Sequence, residues 1–304
     1  MIETKQNTFN RKHFILVSEH DSLYSLLFNH RETVSRPTEL CLQLPYVDVF
    51  TFCGSCNGLV LVSAQDNFGD LNLIVLNPMT SGFVQLPDSR YSILDHWRKT
   101  DFVFGFGYDS MTDDYKVVTV SFFRTDLEVY VYSLKTNSWK WVTYYPFDHA
   151  YYGKDSTCVF VNGVLHWIDI ENTGGLGVIV AFSLTSEIFT ELPLPISFDA
   201  ADSSMAKNEL KLVVGEKLAI FMKGEIWVMN NNNNNNNNGV FISWTEILLH
   251  GLNEVPAMVF YDDGKFLVVS RYEMLMYNIE DGSLCRHTDS YSDMNYVDVR
   301  GFFC

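Results

Sequence analysis

Positive charge is scarce in this sequence. Lys and Arg number 21 against 37 Asp and Glu, which gives the 304 residues a formal net charge of −16. A nucleic-acid-binding protein needs a basic stripe to displace counterions from phosphates, and the densest basic spots here are the pairs Arg11-Lys12 and Arg98-Lys99. The composition therefore argues against nucleic acid and against a negatively charged membrane surface as partners.

Long apolar runs and helical periodicity are also absent. No stretch approaches the length that spans a bilayer, and the polar segment Met1 to Asn10 lacks the apolar core of a signal peptide. The cysteines are therefore expected to be reduced thiols, which suits a protein of the cytoplasm, the nucleus or both. These six residues are Cys41, Cys53, Cys56, Cys158, Cys285 and Cys304.

Patterns typical of catalysis or metal binding are incomplete. Cys53 and Cys56 have C-x-x-C spacing, but no second ligand pair of that kind follows and no helix is predicted to start there. Gly105 and Gly107 lack the third glycine of a phosphate loop, so we interpret them as small residues where a neighbouring sheet approaches closely. His166 lies within a strand, where a packed or hydrogen-bonded role outweighs that of a general base. We predict no catalytic residue, no cofactor and no metal ion, and thus no enzyme.

What the sequence does contain is strands. Aromatic residues make up 15% of the chain, and apolar residues alternate or occur in short runs between Gly, Pro, Asn and Asp clusters. Asn162-Gly163 between two apolar runs predicts a hairpin. The predicted strands are 59–62, 73–76, 102–106, 115–120, 129–132, 157–161, 165–168, 178–182, 211–214, 218–222, 226–229, 258–261, 266–269 and 274–277.

A repeat links these strands. An apolar strand is followed by a polar turn of about five residues and then by a bulky residue, often before Leu-Pro. The bulky residues recur every 40 to 56 positions, at Phe83, Trp139, Phe189, Trp244 and Leu284. That period is typical of one four-stranded blade of a kelch-type β-propeller, in which these side chains would wedge between neighbouring sheets. The alternative is an irregular sandwich with coincidental spacing.

We therefore predict an all-β, β-propeller-like fold of the kelch type with about six blades. Residues 1–45 form an N-terminal segment that contributes to the first blade through Phe14 to Val17 and Leu40 to Pro45, and residues 46–304 form the propeller domain. A final strand near Tyr296 to Val299 is expected to close the ring. The nine asparagines Asn230 to Asn238 are expected to form a flexible loop between two strands.

One stretch predicts contact with a partner. Five aromatic residues fall in a long loop between strands: Tyr144, Tyr145, Phe147, Tyr151 and Tyr152. Aromatic rings with a polar tip are preferred anchors of protein interfaces, so we interpret this loop as a candidate partner-binding loop. The alternative is that the rings fold back over the rim of the core.

Several segments together resemble the F-box-associated domain (type 1, kelch-like) of plant F-box proteins. They follow one another from about residue 50 to residue 285, and it is their order and spacing that is specific. The segments are 56–59 (CNGL), 76–78 (LNP), 86–87 (LP), 105–109 (GFGYD), 114–118 (DYKVV), 128–134 (EVYVYSL), 137–139 (NSW), 161–167 (VNGVLHW), 182–195, 226–229 (IWVM) and 243–245 (SWT).

The resemblance implies a function. In that family an N-terminal F-box binds a Skp-type adaptor in a cullin ubiquitin ligase, and the associated domain selects the target protein for ubiquitination. No F-box is visible in this sequence, so contact with the adaptor and the cullin is expected only through an F-box absent from this chain. The alternative function is a propeller enzyme or lectin-like binder of a small molecule, because kelch-like folds host both classes. Where relatives have a charged turn, this chain has the asparagine tract, as a natural expansion or as a filler for uncertain sequence.

Overall fold

The computed structural model describes the strands of the chain and the turns beside them. Every regular element among these residues is a strand, which confirms the prediction of an all-β chain. The described residues are 12–18, 23–28, 38–40, 47–66, 71–87, 102–123, 126–147, 158–169, 178–195, 211–213, 217–222, 225–232, 241–248, 257–262, 265–269, 274–278, 280–286 and 297–303.

Within these residues the strands form six antiparallel sheets of four strands each, which confirms the expected propeller of about six blades. Sheet 1 contains β1 (Lys12–Ser18), β2 (Leu23–Phe28), β3 (Thr38–Leu40) and the last strand, β24 (Val297–Phe303). Sheet 2 contains β4 (Val47–Cys56), β5 (Leu59–Asp66), β6 (Leu71–Asn77) and β7 (Gly82–Gln85). Sheet 3 contains β8 (Phe102–Asp109), β9 (Asp114–Phe123), β10 (Asp126–Ser133) and β11 (Ser138–Tyr144).

The other three sheets follow in chain order. Sheet 4 contains β12 (Val159–Val161), β13 (Val164–Asp169), β14 (Val178–Ser183) and β15 (Phe189–Pro193). Sheet 5 contains β16 (Lys211–Val213), β17 (Ala219–Met222), β18 (Glu225–Asn232) and β19 (Phe241–Leu248). Sheet 6 contains β20 (Ala257–Asp262), β21 (Lys265–Val269), β22 (Met274–Asn278) and β23 (Leu284–Arg286).

The sheets are arranged as a closed ring. The first strand of a sheet lies at the centre, and β24 takes this position in sheet 1, where Phe302 is paired with Phe14 of β1. Among the described residues, central strands contact one another at five junctions: β24 with β4, β4 with β8, β8 with β12, β16 with β20, and β20 with β24. Sheets 4 and 5 share a hydrophobic cluster that includes Val159 and Ile220. The expected closing strand near Tyr296 to Val299 is therefore β24, and it joins the two ends of the described chain in one sheet.

The ring has two different faces. Because neighbouring strands of a sheet are antiparallel, the first and third turns of each sheet lie at the same end. We call the face at this end the turn face, and the opposite face, where one sheet connects to the next, the connection face. Thr185, in the β14–β15 turn, donates a 2.7 Å hydrogen bond to Asp109 at the β8–β9 turn, so neighbouring sheets share this orientation. By the same topology, β1 begins and β24 ends at the turn face.

The predicted repeat is visible in the turns between third and fourth strands. In four sheets the last residue of the third strand accepts a backbone N–H from within the turn, and a residue four positions later has positive φ. Such a turn needs a short polar side chain at its first position and a residue that can adopt positive φ at its last. The pairs are Asn77 with Ser81, Ser133 with Asn137, Ser183 with Glu187, and Asn278 with Gly282. The predicted hairpin at Asn162-Gly163 is also present, with φ values of 49° and 82°.

The predicted wedge residues are only partly correct. Three of the predicted wedge residues pack against hydrophobic clusters: Trp139, Phe189 and Trp244. The two tryptophans also form hydrogen bonds to the preceding sheet in the chain. The Trp139 indole N–H donates to the Pro87 carbonyl (2.7 Å) and that of Trp244 to the Pro193 carbonyl (3.2 Å). Phe83 and Leu284 are each 37% exposed. For these two residues the expectation that they fill the space between sheets was wrong, because more than a third of the surface of each is exposed.

The asparagine tract also differs from expectation. Asn230, Asn231 and Asn232 continue β18 and pair with Ser243, Ile242 and Phe241 of β19. The Asn230 side-chain amide donates to Thr245 Oγ1 over 2.6 Å, so a cross-strand bond offsets the low strand propensity of asparagine. The tract was therefore wrongly predicted to be loop throughout, and Asn233 to Asn238 lie outside the described residues.

Two glycines permit the close approach of sheet 4 to sheet 3. A Cβ on Gly105 would lie 2.7 Å from Leu165 Cδ1 and 2.9 Å from Cys158 Sγ. A Cβ on Gly107 would lie 2.3 Å from Phe160 Cδ2 and 2.8 Å from Leu184 Cδ1. The interpretation of these glycines as contact points with a neighbouring sheet is confirmed.

Replacing Gly107 with alanine is expected to lower the free energy of unfolding by about 1–3 kcal/mol, because the packed ring of Phe160 must move. Urea denaturation measures the loss. The matched control is Gly82→Ala on outermost strand β7, where the nearest atom to the new Cβ is Thr80 Oγ1 at 3.2 Å. We expect the control to change stability by less than about 0.5 kcal/mol. Equal losses in the two variants would contradict the close approach.

Candidate protein-binding surface

The structure divides the predicted partner-binding loop. Tyr144 ends β11 with 56% of its surface exposed, whereas Tyr145 is buried. Phe147 is half-buried and packs edge-on against Tyr145, with ring centroids 5.3 Å apart. Tyr151 and Tyr152 lie outside the described residues. Among the described members of the loop, only Tyr144 has more than half of its surface exposed.

Tyr145 closes the junction between sheets 3 and 4. Its hydroxyl donates to the buried Asp169 carboxylate at the end of β13, and its ring contacts Phe189. Burial raises the pKa of the phenol, and the charge of Asp169 raises it further, so the group remains a donor at neutral pH. For Tyr145 and Phe147 the alternative interpretation holds: these rings fold over the rim of the core.

An exposed aromatic pair lies on the same strand. Trp141 is 47% exposed and meets Tyr144 edge-on, with centroids 5.5 Å apart. Trp141 pairs with Tyr130 and Tyr144 pairs with Glu128, and a bulge between Val129 and Tyr130 brings both rings to one face of the sheet. We call Trp141, Tyr144, Tyr130 and Glu128 the aromatic patch.

The aromatic patch has a rigid base. Tyr130 is 8% exposed, and its hydroxyl donates to Glu128 Oε2 over 2.9 Å. On the same face of β10 and β11, Tyr132 and Trp139 are in contact at a tilted angle, with ring centroids 5.1 Å apart, and pack into the cluster shared with sheet 2. Sequence reasoning missed Trp141, although its spacing of two from Trp139 in a strand places the two indoles on one face.

Among the side chains that the structure describes, other exposed apolar ones occur mainly on sheets 2 to 4. Met79, Met111 and Ile188 lie in turns at the turn face, with exposed fractions of 56%, 77% and 60%. Phe83 and Val84 lie on outermost strand β7. These residues stand singly or in adjacent pairs, whereas Trp141 and Tyr144 are in direct ring contact beside a carboxylate.

A buried ion pair joins sheets 3 and 4 near the turn face. Lys116 Nζ lies 2.7 Å from Asp109 Oδ2 and donates to the Leu184 carbonyl over 2.9 Å. Thr112 and Thr185 also donate to the Asp109 carboxylate. Burial would raise the pKa of Asp109, but these donors outweigh it and hold that pKa well below its usual range. A carboxylate so fully bonded is suited to fastening the turns and not to moving protons.

Cys53, Cys56 and His166 are also buried. Burial raises the pKa of Cys53 and of Cys56 to about 12, so both thiols are protonated at neutral pH. His166 is 5% exposed, and burial lowers its pKa to about 4 although bonds to the backbone at Val159 and Val164 oppose the shift. Its Nδ1 has no hydrogen-bond partner. These groups form part of the packing between sheets.

The described residues bring together no group of three or more His, Cys, Asp or Glu side chains able to hold a metal ion. They also contain no helix that is long and apolar enough to cross a membrane.

Comparison with protein families identifies the family to which the repeated sheets correspond. The family described as the F-box associated beta propeller domain matches residues 13–295. An F-box/kelch-repeat protein of Arabidopsis thaliana is 25% identical over 242 residues, which are 77% of this chain and 63% of that protein. The F-box protein CPR1 of Arabidopsis thaliana is 34% identical over 164 residues, which are 47% of this chain and 38% of that protein. These matches thus span between 38% and 63% of the relatives' own lengths.

Solved structures share the fold at low sequence identity. A chain of a nidogen/laminin complex is similar with a TM-score of 0.56 and 10% identity, over 96% of this chain and 97% of that one. TolB from Acinetobacter baumannii is similar with a TM-score of 0.55 and 11% identity, over 98% of this chain and 67% of that one. At such identities the likeness concerns the fold alone.

Proposed function

Because the chain belongs to the F-box associated beta propeller domain family, we propose that it is the target-binding domain of an F-box protein in an SCF-type ubiquitin ligase. The observation that carries the proposal is the family match over residues 13–295. The chain folds as six sheets, and the relatives it matches are F-box proteins. The target is a protein, and the ring binds it without changing its bonds.

The mechanism of this function is positioning. A bound target is held near the ubiquitin-carrying enzyme, which raises the effective concentration of its lysines there. The protonated thiols and the fully bonded Asp109 are consistent with a non-enzymatic domain. The proposed site of action is the cytoplasm, the nucleus or both.

The topology suggests how the two partners share the ring. β1 begins at the turn face, so an F-box joined ahead of it would bring the Skp-type adaptor and the cullin to that side. The end of β11, where Tyr144 is 56% exposed, then remains open to the target. This arrangement keeps the two binding events from competing for one surface.

The test is affinity purification from plant tissue with two proteins: this chain alone, and this chain with an F-box joined to its N-terminus. We expect both to recover the same target, and only the second to recover adaptor and cullin and to direct ubiquitination of that target. A chain that recovers no target and instead turns over or tightly binds a metabolite would overturn the proposal.

A further inference from the structure

We infer that the aromatic patch on β11 anchors a basic side chain of the target, so that the segment bound there is rich in lysine or arginine. The inference rests on the proposed function, because it names the chemistry of the target that the domain would select. It starts from two exposed rings in contact, Trp141 and Tyr144, with centroids 5.5 Å apart.

The rings are available and already ordered. They are 47% and 56% exposed, although most described aromatic side chains of this sheet pack in the core. Both lie on a strand paired to β10 along its length, and the bonded pair Tyr130 and Glu128 lies beside them on the same face. Little freedom is lost when a partner binds such a surface, so more of the contact energy appears as affinity.

The patch also lies on an accessible side of the ring. Tyr144 ends β11 at the connection face, away from the turn face at which β1 begins. An F-box and adaptor joined ahead of β1 would therefore leave it uncovered. Tyr145, the next residue, is buried against Asp169 and fixes the end of the strand.

The charge around the patch selects the occupant. The faces of Trp and Tyr rings carry partial negative charge and attract ammonium and guanidinium groups. Glu128 pairs with Tyr144 across the strands and adds a carboxylate on the same face. The nearest cation on β11, Lys140, pairs with Glu187 of sheet 4 at 2.7 Å, so it is directed away from the patch. A net charge of −16 further draws basic segments toward this protein.

The first test uses the purified chain and a dye-labelled peptide of six Arg-Gly repeats, with fluorescence anisotropy as the readout. We expect the double variant Trp141→Ser, Tyr144→Ser to bind the peptide about ten-fold more weakly than the unchanged chain. These substitutions leave the net charge as it is, so general attraction of a basic peptide to an acidic protein would not produce the loss. Circular dichroism of the double variant checks that substitution of these two exposed residues leaves the fold intact.

Two control variants sharpen the result. Met111→Ser removes a more exposed apolar side chain at the turn face, and it is expected to bind the peptide within two-fold of the unchanged chain. Glu128→Gln is expected to weaken binding several-fold and to reduce its dependence on salt. Equal binding by the unchanged chain and the Trp141, Tyr144 double variant would overturn the inference.

The target recovered from tissue separates this inference from the proposed function. If the double variant recovers the target as well as the unchanged chain does, the patch is not the anchor and the proposed function still stands. If the double variant loses the target while Met111→Ser retains it, both are supported. Failure of the unchanged chain to recover any target would overturn the proposed function. The inference that the aromatic patch anchors a target would then fail as well.

Discussion

Replacing Lys116 with methionine is expected to lower the free energy of unfolding by about 3–5 kcal/mol. The substitution keeps most of the apolar stem and removes the ammonium group from a buried pair with Asp109. Asp109 is 1% exposed, so its carboxylate would remain in the interior without its countercharge. The Leu184 carbonyl of sheet 4 would lose its donor as well. Urea denaturation at neutral pH, followed by tryptophan fluorescence, measures the loss.

The chain offers a matched control for this prediction. Lys140 and Glu187 also join sheets 3 and 4 at 2.7 Å, but the Lys140 side chain is 65% exposed. Solvent screens such a pair, so Lys140→Met is expected to cost no more than about 1 kcal/mol. Adding Asp109→Asn to Lys116→Met is expected to recover part of the loss, because a neutral side chain needs no countercharge. Similar losses for the two lysines would show that burial does not govern the first pair.

Strands with a neighbouring strand on either side could be predicted from the sequence, because both of their faces are buried. β6 and β14 carry unbroken runs of buried residues, and continuous apolar runs between turn residues mark strands of this kind. β7 and β15 lie at the outer edge of their sheets and have mostly exposed residues, so their composition resembles that of loops. The repeat therefore located the blades, and its period matched one four-stranded sheet. Two of the five wedge residues, however, were assigned to the wrong environment.

The contacts between blades could not be predicted. The segments that carry Asp109 and Lys116 were recognised by their resemblance to the family, but their acceptor at Leu184 and their donor at Thr185 lie about seventy residues away. Such a bond depends on the angle between two sheets, which a local pattern does not encode. The same limit applies to the aromatic loop, because Tyr145 is buried through its bond to Asp169 and its ring contact with Phe189, both on the next sheet.

The closed ring, by contrast, follows from a simple requirement. Each sheet buries one side only when a neighbour packs on it, so a row of sheets is complete only when its two ends meet. Pairing of β24 with β1 meets this requirement with backbone hydrogen bonds along both strands. A closing strand near the C-terminus was predictable for that reason, although the identity of its partners was not.

Lowering the pH from about 7.5 to about 4 is expected to remove about 3 kcal/mol of unfolding free energy through His166 alone. Burial lowers the pKa of His166 from 6.5 to about 4 in the folded chain, while the unfolded chain keeps the ordinary value. Between these two pKa values the unfolded state binds more protons than the folded state, so stability falls as the pH falls. Below about pH 4 both states are protonated and this contribution no longer changes. Asp109, whose folded pKa is lowered, loses its contribution only at more acidic pH.

Urea denaturation at a series of pH values, for the unchanged chain and for His166→Gln, isolates the effect. Glutamine keeps an amide donor near the position of Nε2 and has no proton to gain, so the stability of the unchanged chain relative to the variant should fall by about 3 kcal/mol from pH 7.5 to pH 4. All other titrating groups are common to both chains and cancel in that difference. A constant difference across this range would show that His166 is hydrated or paired in the folded state. Its unpartnered Nδ1 between sheets 4 and 5 would then have to be bonded to water, because a buried imidazole can keep its ordinary pKa only where its charged form finds acceptors.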